Sequence, residues 1–417
     1  MKIGLSRRII TPADARTVVG VGTGRRADGT LDPLHVRVIA AEDAEGTRAA
    51  VVVCDLLYVG AALAGRIRAA LAQAHGLAHA IVVATHTHSA PKTAAEFDDG
   101  NAVQDDFADT VAAQAEAAAR DAFEALRPAM LSLAAGEGAP ALNRRVPVPR
   151  WARISPRLNA ARVLNQPNRA VPADRGVTAC RVAYDDGSGF WIVNAALHPA
   201  VFRGNAYSAD FPGYLLPALR EATGAGADCE DVVYLQGWTG DQSPDLTVRR
   251  PVPLRPDAWV DYLVCRDTFN RAGGREALVG LAARLARALA TAAPLAAAGD
   301  DAIRGARRSI ALPMEGGGAT TAVGMALRLG PLRMVAVNGE PFAAYRRALL
   351  RHAEDAGVMT LGYLDGPFGY LPDGEGLRLG GYEPDRSLPL FRQAARFDRS
   401  AEARFNDAAR DLLRDIG

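Results

Sequence analysis

Residues 81–92 read IVVATHTHSAPK, an apolar run that leads directly into two histidines. The chain has only seven histidines among its 417 residues, and two of them, His86 and His88, stand two positions apart in this stretch. A short run of β-branched residues predicts a buried strand. Paired histidines at the end of such a strand indicate where to look for a functional site.

Short apolar runs alternate with long segments rich in Ala, Leu and Arg along the whole chain. The short runs predict strands over residues 36–41, 49–54, 81–85, 178–184, 189–197, 231–236, 333–338 and 358–363. The longer segments predict helices over residues 60–74, 104–126, 214–223, 275–293, 341–355 and 400–415. This alternation predicts an α/β fold, with a mixed β-sheet flanked by helices in a single large domain over residues 1–417.

The bulk composition argues against several classes of protein. A net charge of +1 argues against a general nucleic-acid binder. No run of about 18 apolar residues is free of charges, so no membrane span is expected. The N-terminal sequence shows no signal peptide and the four cysteines form no C-x-x-C pair, which together predict a cytoplasmic protein with free buried thiols. The sequence leaves open whether the protein forms a homo-oligomer.

Two segments rich in Pro and Arg, residues 143–176 and 246–258, interrupt the alternation. Neither has the period of a helix or a strand, so both are predicted as loops. Such loops act as lids or binding loops in some proteins and as solvated surface or subunit contacts in others, and both interpretations stay open. Arginine binds carboxylate and phosphate through a bidentate fork, so Arg150, Arg153 and Arg157 are candidate contacts for a negatively charged substrate.

Polar and metal-capable residues follow five of the predicted strands. The segments concerned are Thr85–Ser89, His198–Pro199, Gly237–Pro244, Asn338–Pro341 and Asp365–Tyr370. In open α/β sheets, ligand sites form outside the carboxyl ends of the strands. We therefore expect one crevice built from these five strand ends.

The two histidines of the opening stretch can serve one metal site. Alternate residues of an extended segment point to the same side, so His86 and His88 are expected to face one crevice, where one can ligate a metal while the other carries protons. Histidines with a carboxylate suit zinc, and His198 and Glu340 are the best candidates for the missing ligands. The alternative is a structural role for these residues. The histidines would then be core residues whose hydrogen bonds are satisfied, and Glu340 would mark the junction between a strand and a helix that begins at Pro341.

Six short motifs follow one another along the chain. They are Ile3-Gly4 with Ile10-Thr11-Pro12 and Gly20, Thr85-His86-Thr87-His88-Ser89, Asn143-Arg144, Gly240-Asp241-Gln242-Ser243-Pro244, Asn338-Gly339-Glu340, and Gly369-Tyr370 with Gly381-Tyr382-Glu383. In this order they resemble the motifs of the neutral/alkaline, non-lysosomal ceramidase family. The resemblance covers nearly the whole chain and implies a zinc-hydrolase catalytic domain. The C-terminal β-sandwich domain of that family is not expected here.

The resemblance implies a role for each of eight residues. The implied roles are the Zn²⁺ ligands His86, His198, Glu340 and Tyr370, the general base or proton shuttle His88, the carbonyl-orienting Arg144 and Tyr382, and Ser243 beside the reacting carbonyl. The implied reaction is attack of a zinc-bound water on an N-acyl amide bond, with the proton passed on to the leaving amine.

Two of these roles have alternatives. A serine beside the carbonyl acts either as a nucleophile or as a hydrogen-bonding support, and for Ser243 we favour support because no histidine lies near it in the sequence. A tyrosine must lose its proton to bind a metal well. From chemistry alone, Asp365 is as good a ligand candidate as Tyr370.

The expected substrate is a small-molecule or lipid N-acyl amide, and three hypotheses follow. The leading one is a zinc-dependent amidohydrolase that cleaves a ceramide-like amide. The second is a zinc hydrolase of the same fold acting on a soluble anionic N-acyl compound or an ester, which the arginines of residues 143–176 favour. The third is a catalytically silent binding protein of the same fold.

Overall fold

The structure is a computed structural model that describes residues 1–20, 24–155, 157–224, 228–255, 258–270, 273–296, 300–351 and 356–417. The strands are β1 Lys2–Ile9, β2 His35–Glu42, β3 Arg48–Cys54, β4 His79–Ala84, β5 Arg127–Glu137, β6 Ala141–Pro147, β7 Val163–Asn168, β8 Gly176–Tyr184, β9 Gly189–Ala195, β10 Cys229–Gln236, β11 Gln242–Pro244, β12 Thr247–Arg249, β13 Asp267–Phe269, β14 Ala293–Pro294, β15 Ile303–Pro313, β16 Ala319–Leu329, β17 Leu332–Val337, β18 Glu340–Pro341, β19 Met359–Leu361 and β20 Tyr370–Leu371. The helices are α1 Ala61–His75, α2 Asp105–Glu124, α3 Leu215–Thr223, α4 Trp259–Val264, α5 Arg275–Ala290, α6 Ala343–Leu349, α7 Gly374–Leu379 and α8 Ser400–Asp415. None of the helices in the described ranges is long and apolar enough to cross a bilayer.

The largest sheet has nine strands and mixed pairing. Its strand order is β10-β9-β8-β5-β1-β2-β3-β4, with β14 beside β5. β3 pairs with β4 and β9 with β10 in parallel, and the other pairs of this sheet are antiparallel. The predicted α/β class with a mixed sheet flanked by helices is confirmed.

Alternate residues of these strands face two different cores, as the period of a strand requires. Val52 and Val82 face α1 and α2, whereas Val51 and Val83 face a second sheet of order β15-β16-β17-β19. Helices α3 and α5 pack on β8 to β10, and α8 covers the outer face of the second sheet. The order of layers is therefore helices, main sheet, second sheet and α8.

The predicted elements agree with the structure for the apolar segments and differ elsewhere. The segment predicted as helix 341–355 forms α6 over Ala343–Leu349, and its residues 352–355 lie outside the described part of the chain. The prediction that 143–176 and 246–258 lack regular structure is wrong, because they contain β6, β7, a 3₁₀ turn over Arg150–Ile154, and β12. Residues 156 and 256–257 of these segments lie outside the described part.

The carboxyl ends of the five strands named in the sequence meet at one edge. Backbone hydrogen bonds join them. These bonds run from Gly237 N to Ala195 O at 3.0 Å, from Gly362 N to Gln236 O at 3.0 Å, from Ala84 N to Tyr363 O at 3.1 Å, and from Tyr363 N to Gly339 O at 3.2 Å. The main sheet supplies β4, β9 and β10, and the second sheet supplies β17 and β19. The packing of one sheet on the other thus brings the predicted crevice together.

We expect Phe405→Ala to lower the free energy of unfolding by about 3–5 kcal/mol, because a large ring leaves a cavity in a packed core. Phe405 is buried in α8, with ring centroids 5.5 Å from Trp238 and 5.0 Å from Tyr345. Urea denaturation measures the loss. Val279→Ala, at an exposed site of α5, is the control and should change stability by less than about 0.5 kcal/mol. Equal losses for the two variants would contradict the packing described here.

Candidate metal centre and active-site cavity

The turn that carries the paired histidines leaves the sheet directly after β4. The hydroxyl of Thr85 donates to Asp55 Oδ1 at 3.1 Å, and His86 then adopts a left-handed backbone with a φ of 68°. Residues with a side chain rarely adopt this conformation, so the surrounding structure holds His86 there. The prediction that His86 and His88 share one extended segment is therefore wrong. Their side chains nevertheless converge.

Three imidazoles meet at one point. The Nε2 atom of His88 lies 3.3 Å from Nε2 of His86 and 3.1 Å from Nε2 of His198. Carbonyl oxygens only accept, so Nδ1 of His86 donates to Leu57 O at 2.9 Å and Nδ1 of His88 donates to Gly20 O at 2.8 Å. The Nε2 atoms of His86 and His88 therefore both carry lone pairs. Gly20 must be glycine here, because its φ is 98° and a Cβ would lie 2.5 Å from His88 Nδ1.

The Glu340 carboxyl lies buried beside these imidazoles. Its Oε2 atom is 3.8 Å from Nε2 of His86. The hydroxyls of Tyr58 and Tyr363 donate to it, the second at 3.2 Å. Burial raises the pKa of Glu340 to about 7, although the two tyrosines and the charge of Arg144 lower it. A carboxylate is costly to keep in such a place unless a cation accompanies it.

Tyr370 is brought to the same place by strand pairing. β18 and β20 pair in parallel with Glu340 opposite Tyr370, and Glu340 N donates to Gly369 O at 2.9 Å. Burial and the neighbouring Glu340 raise the pKa of Tyr370 well above its usual range. The phenol therefore keeps its proton unless a cation lowers that pKa.

The donors of this cluster fit a metal ion. Two lone pairs face each other at 3.3 Å, and the buried Nδ1 of His198 has no hydrogen-bond partner in the part of the chain that the structure describes. Burial and a neighbouring imidazole lower the pKa of His86 and of His198 well below the usual range, so both rings are neutral, as metal ligands must be. The ligand atoms of His86, His88 and His198 lie within 4.8 Å of one another, so this group could hold a metal ion. Imidazoles with a carboxylate such as that of Glu340 suit zinc.

A cavity of ≈ 190 Å³ opens onto the cluster. The predicted site residues in its wall are His88, Arg144, His198, Ser243, Tyr370 and Tyr382. The other two, His86 and Glu340, are buried in contact with this group. The structure thus brings all eight predicted site residues together, while the role of each stays a prediction.

Arg144 is fixed in the cavity wall. Its Nε atom donates to Glu383 at 3.1 Å and its Nη2 atom donates to a backbone carbonyl at 2.8 Å. Arg145 donates to the second oxygen of Glu383. The Asn143 amide donates to the Asp241 carboxylate at 2.9 Å, which joins β6 to the turn before β11. The Asn143-Arg144 and Gly240-Asp241 motifs are therefore bonded to each other, and together they hold Arg144 in place.

Comparison by sequence finds no matching family model and no matching curated protein. Comparison with solved structures finds the crystal structure of neutral ceramidase from Pseudomonas aeruginosa, with a TM-score of 0.72 and 14% identity, over 99% of this chain and 74% of that one. A structure of ceramidase complexed with C2 aligns with the same TM-score and coverage at 15% identity. The chain has the neutral ceramidase fold. The fold that the motif resemblance implied is thus confirmed.

Within this ceramidase fold, the surroundings of His88 differ from those of an ordinary imidazole. Burial and, to a lesser extent, the charges of Arg203, Arg144 and Arg25 together lower the pKa of His88 to about 3, against a raising effect of the bond to Gly20. His88 is therefore neutral near pH 7. Its Nε2 atom, with Nδ1 already donating to a carbonyl, is the atom that can accept a proton.

Ser243 lies in β11, opposite Leu142 of β6, and lines the ceramidase-like cavity. Within the described ranges no hydrogen bond joins its hydroxyl to a histidine. A serine nucleophile needs an adjacent base. This geometry favours the supporting role for Ser243.

The alternative ligand Asp365 lies in a different ion pair. Its carboxylate meets Arg68 at 2.7 Å and Arg307 at 3.6 Å, and it belongs to no group with the three histidines. Both guanidinium groups meet the same oxygen, Oδ2, and draw this carboxylate into an ion pair, whereas Tyr370 lies directly opposite Glu340. This placement favours Tyr370 over Asp365, and the ligand role of either residue stays a prediction.

The arginines proposed to contact the substrate are also placed elsewhere. Arg150, Arg153 and Arg157 are exposed, and none of them lines the cavity. The arginines in the cavity wall are Arg144 and Arg203. The argument from Arg150, Arg153 and Arg157 for a soluble anionic substrate therefore loses its structural basis.

Sequence reasoning missed Tyr58 and Tyr363. Tyr363 has a left-handed backbone with a φ of 59°, and its ring stacks on His86 with centroids 3.9 Å apart. Both hydroxyls bind Glu340. Each tyrosine follows an apolar strand, as the predicted ligands do, and that position was the signal that could have identified them.

We expect about one zinc per chain, with His86→Ala and His198→Ala each removing it, because each deletes one ligand of the cluster. His88→Ala should retain the metal, since His88 is assigned to proton transfer. Elemental analysis of the purified proteins measures the content.

His75→Ala is the matched control, because His75 stacks on Phe123 at the end of α1, away from the cluster. Full metal retention in both His86→Ala and His198→Ala would refute the ligand assignment. Loss of metal from His88→Ala would make His88 a ligand.

Proposed function

We propose that this protein is a zinc-dependent amidohydrolase that cleaves the N-acyl amide bond of a ceramide-like lipid. One observation carries the proposal: the three-histidine cluster, which could hold a metal ion, borders a cavity whose wall also holds Arg144, Ser243 and Tyr382. A metal-binding group and carbonyl-binding donors around one space are the parts that amide hydrolysis needs. The ceramidase named in the structural comparison supports the substrate class.

The residues that would hold zinc are His86, His198, Glu340 and Tyr370. Bound zinc supplies a Lewis acid that polarises a carbonyl and lowers the pKa of water to about 7. The protein supplies the orientation of the ligands. Leu57 O fixes the ring of His86, and the tyrosine hydroxyls fix Glu340.

Arg144 and Tyr382 would hold the amide carbonyl. Arg144 is held by Glu383 and a backbone carbonyl, so its guanidinium position is set before the substrate arrives. Donors fixed in advance cost no reorganisation when negative charge develops on the carbonyl oxygen. Tyr382 lies in the same wall, with its ring centroid 5.8 Å from that of Tyr370.

His88 would carry the proton. Its Nδ1–H is held by Gly20 O, which leaves Nε2 as the atom that would take a proton from the attacking water and return it to the leaving amine. Burial makes this imidazole a weaker base than a free one, which favours return of the proton over its retention. The hydroxyl of Ser243 would donate to the reacting group as a support. The rival hypothesis of a silent binding protein does not account for six such groups in one cavity wall with two more buried behind them.

We expect the zinc-loaded protein to release a fatty acid and an amine from an N-acyl amide lipid. Mass spectrometry of the products from a panel that contains ceramide, soluble anionic N-acyl compounds and esters identifies the bond cleaved. Arg144→Met should lower kcat/KM by about 10²–10³, the usual effect of removing one donor to a developing oxyanion. The absence of any product across the panel would support a silent binding protein instead.

Ser243→Ala separates the two serine roles. A support predicts a partial loss of about 10²–10³ in kcat and no covalent intermediate. Rapid quenching followed by intact-protein mass spectrometry detects an acyl-enzyme. An acyl group trapped on Ser243 of the unsubstituted enzyme would reverse the assignment and make this serine the nucleophile.

A further inference from the structure

Exposed hydrophobic side chains are concentrated in one part of the molecule. Eight of the eleven large hydrophobic side chains exposed in the described ranges belong to residues 148–171 and 246–264, which we call the apolar–arginine face. The eight are Trp151, Ile154, Val171, Val248, Val252, Leu254, Trp259 and Leu263. The exposed fractions of Ile154 and Leu254 are 78% and 100%. Scattered single residues of this kind are ordinary, but a concentration of them marks an interaction site.

The two segments of this face form one unit. The hydroxyl of Ser155 donates to Asp261 Oδ1 at 2.6 Å. Ala152 and Leu158 of the first segment form a small core with Val260 of the second. The exposed side chains therefore project from a packed base, not from separate loops.

The face is strongly basic. It contains eight arginines and two aspartates, Asp257 and Asp261. Asp261 is buried, accepts from Ser155 and lies 3.8 Å from the exposed Arg157, and Asp257 lies outside the described residues. Five of the arginines, Arg150, Arg153, Arg157, Arg162 and Arg169, are exposed in the first segment.

The face continues into the cavity wall. Asn165 of the first segment and Leu246 of the second line the cavity. β12, within the face, pairs with β13, whose Phe269 lines the cavity as well. A surface that binds the apolar–arginine face would therefore lie next to the cavity entrance.

We infer that the apolar–arginine face docks on an anionic lipid surface and presents the cavity to amide lipids in the bilayer. Exposed Trp, Leu and Ile enter the boundary between headgroups and acyl chains, while arginines attract anionic headgroups. The face provides both kinds of group beside one cavity. The part of this inference that concerns amide lipids rests on the proposed function, whereas docking itself does not.

A second copy of the chain is a poorer occupant. A symmetric dimer through this face would place its arginines against the same arginines of the partner, and like charges repel. A soluble anion would account for the arginines and leave the exposed Trp151, Ile154 and Leu254 unexplained. A lipid surface accounts for both.

Flotation with unilamellar vesicles tests the inference directly. We expect the full chain to bind phosphatidylcholine vesicles that contain phosphatidylglycerol and to bind pure phosphatidylcholine weakly. The variant with Arg150→Gln, Arg153→Gln and Arg157→Gln should lower the partition coefficient by about a hundredfold, because each arginine near an anionic surface contributes about a factor of five. The variant with Trp151→Ser, Ile154→Ser and Leu254→Ser should lower it by about tenfold or more.

The matched control carries Ile9→Ser, Met130→Ser and Val279→Ser, which are exposed hydrophobic side chains outside the face. It should bind vesicles as the unsubstituted chain does. The six substituted hydrophobic residues and the three arginines are all at the surface, so circular dichroism should show an unchanged fold. Equal vesicle binding by control and face variants would overturn the inference. A second pair of results would also overturn it: the unsubstituted chain does not bind vesicles, and the face variants differ from it in oligomeric state, as measured by sedimentation without lipid.

Two activity measurements separate this inference from the proposed function. The apolar triple variant should lose turnover of an amide lipid in vesicles and keep turnover of a soluble short-chain N-acyl amide. Vesicle binding without cleavage of either amide would leave docking established and remove the proposed function. Cleavage of both amides without vesicle binding would overturn docking and leave the proposed function in place.

Discussion

The burial of the Glu340 carboxyl beside His86, at the edge of the imidazole cluster, is the constraint on which the rest of the site depends. Buried polar groups must be satisfied, and the partners of this cluster come from distant parts of the chain. Gly20 O and Leu57 O orient His88 and His86, while Tyr58 and Tyr363 hold the carboxyl. No single segment could complete the cluster. The cluster can form only when the main sheet and the second sheet have packed together, so folding and site assembly are one event.

That dependence explains where backbone strain is found. His86 and Tyr363 both have left-handed backbones, and their rings stack with centroids 3.9 Å apart. One follows β4 of the main sheet and the other follows β19 of the second sheet. Such conformations cost about 1–3 kcal/mol each and persist only where surrounding contacts determine them. Two of the four non-glycine residues with a positive φ in the described ranges therefore lie at the junction of the two sheets, and the other two, Asp210 and Arg392, lie at the ends of 3₁₀ turns.

The predictable parts of the molecule are those with an apolar period or a motif. β3, β4, β9 and β10 were predicted because their runs are buried on both faces, and the residues after them identified the cluster. The hairpin of β15 and β16 was missed because Arg304, Arg307 and Arg308 interrupt its apolar pattern. Tyr58 follows an apolar strand, as the predicted ligands do, but it was missed because a tyrosine at such a position is also typical of a packed core. The exposure of Trp151 and Leu254 could not be predicted, since neither segment has a periodic pattern that distinguishes buried from exposed side chains.

Glu383 accepts from both Arg144 and Arg145, and this shared acceptor has a consequence for how the protein can diversify. Buried ion pairs hold the inner wall of the cavity in place. A substitution of one partner of such a pair leaves the other charge buried and unpaired. The outer segments around Trp151 and Leu254 pack on a small core of their own around Val148, Ala152 and Leu158, and none of their side chains belongs to those ion pairs. New substrate ranges can therefore arise by exchange of these outer segments, with the chemistry inherited unaltered. A designer who transplants them onto a related scaffold follows the same route.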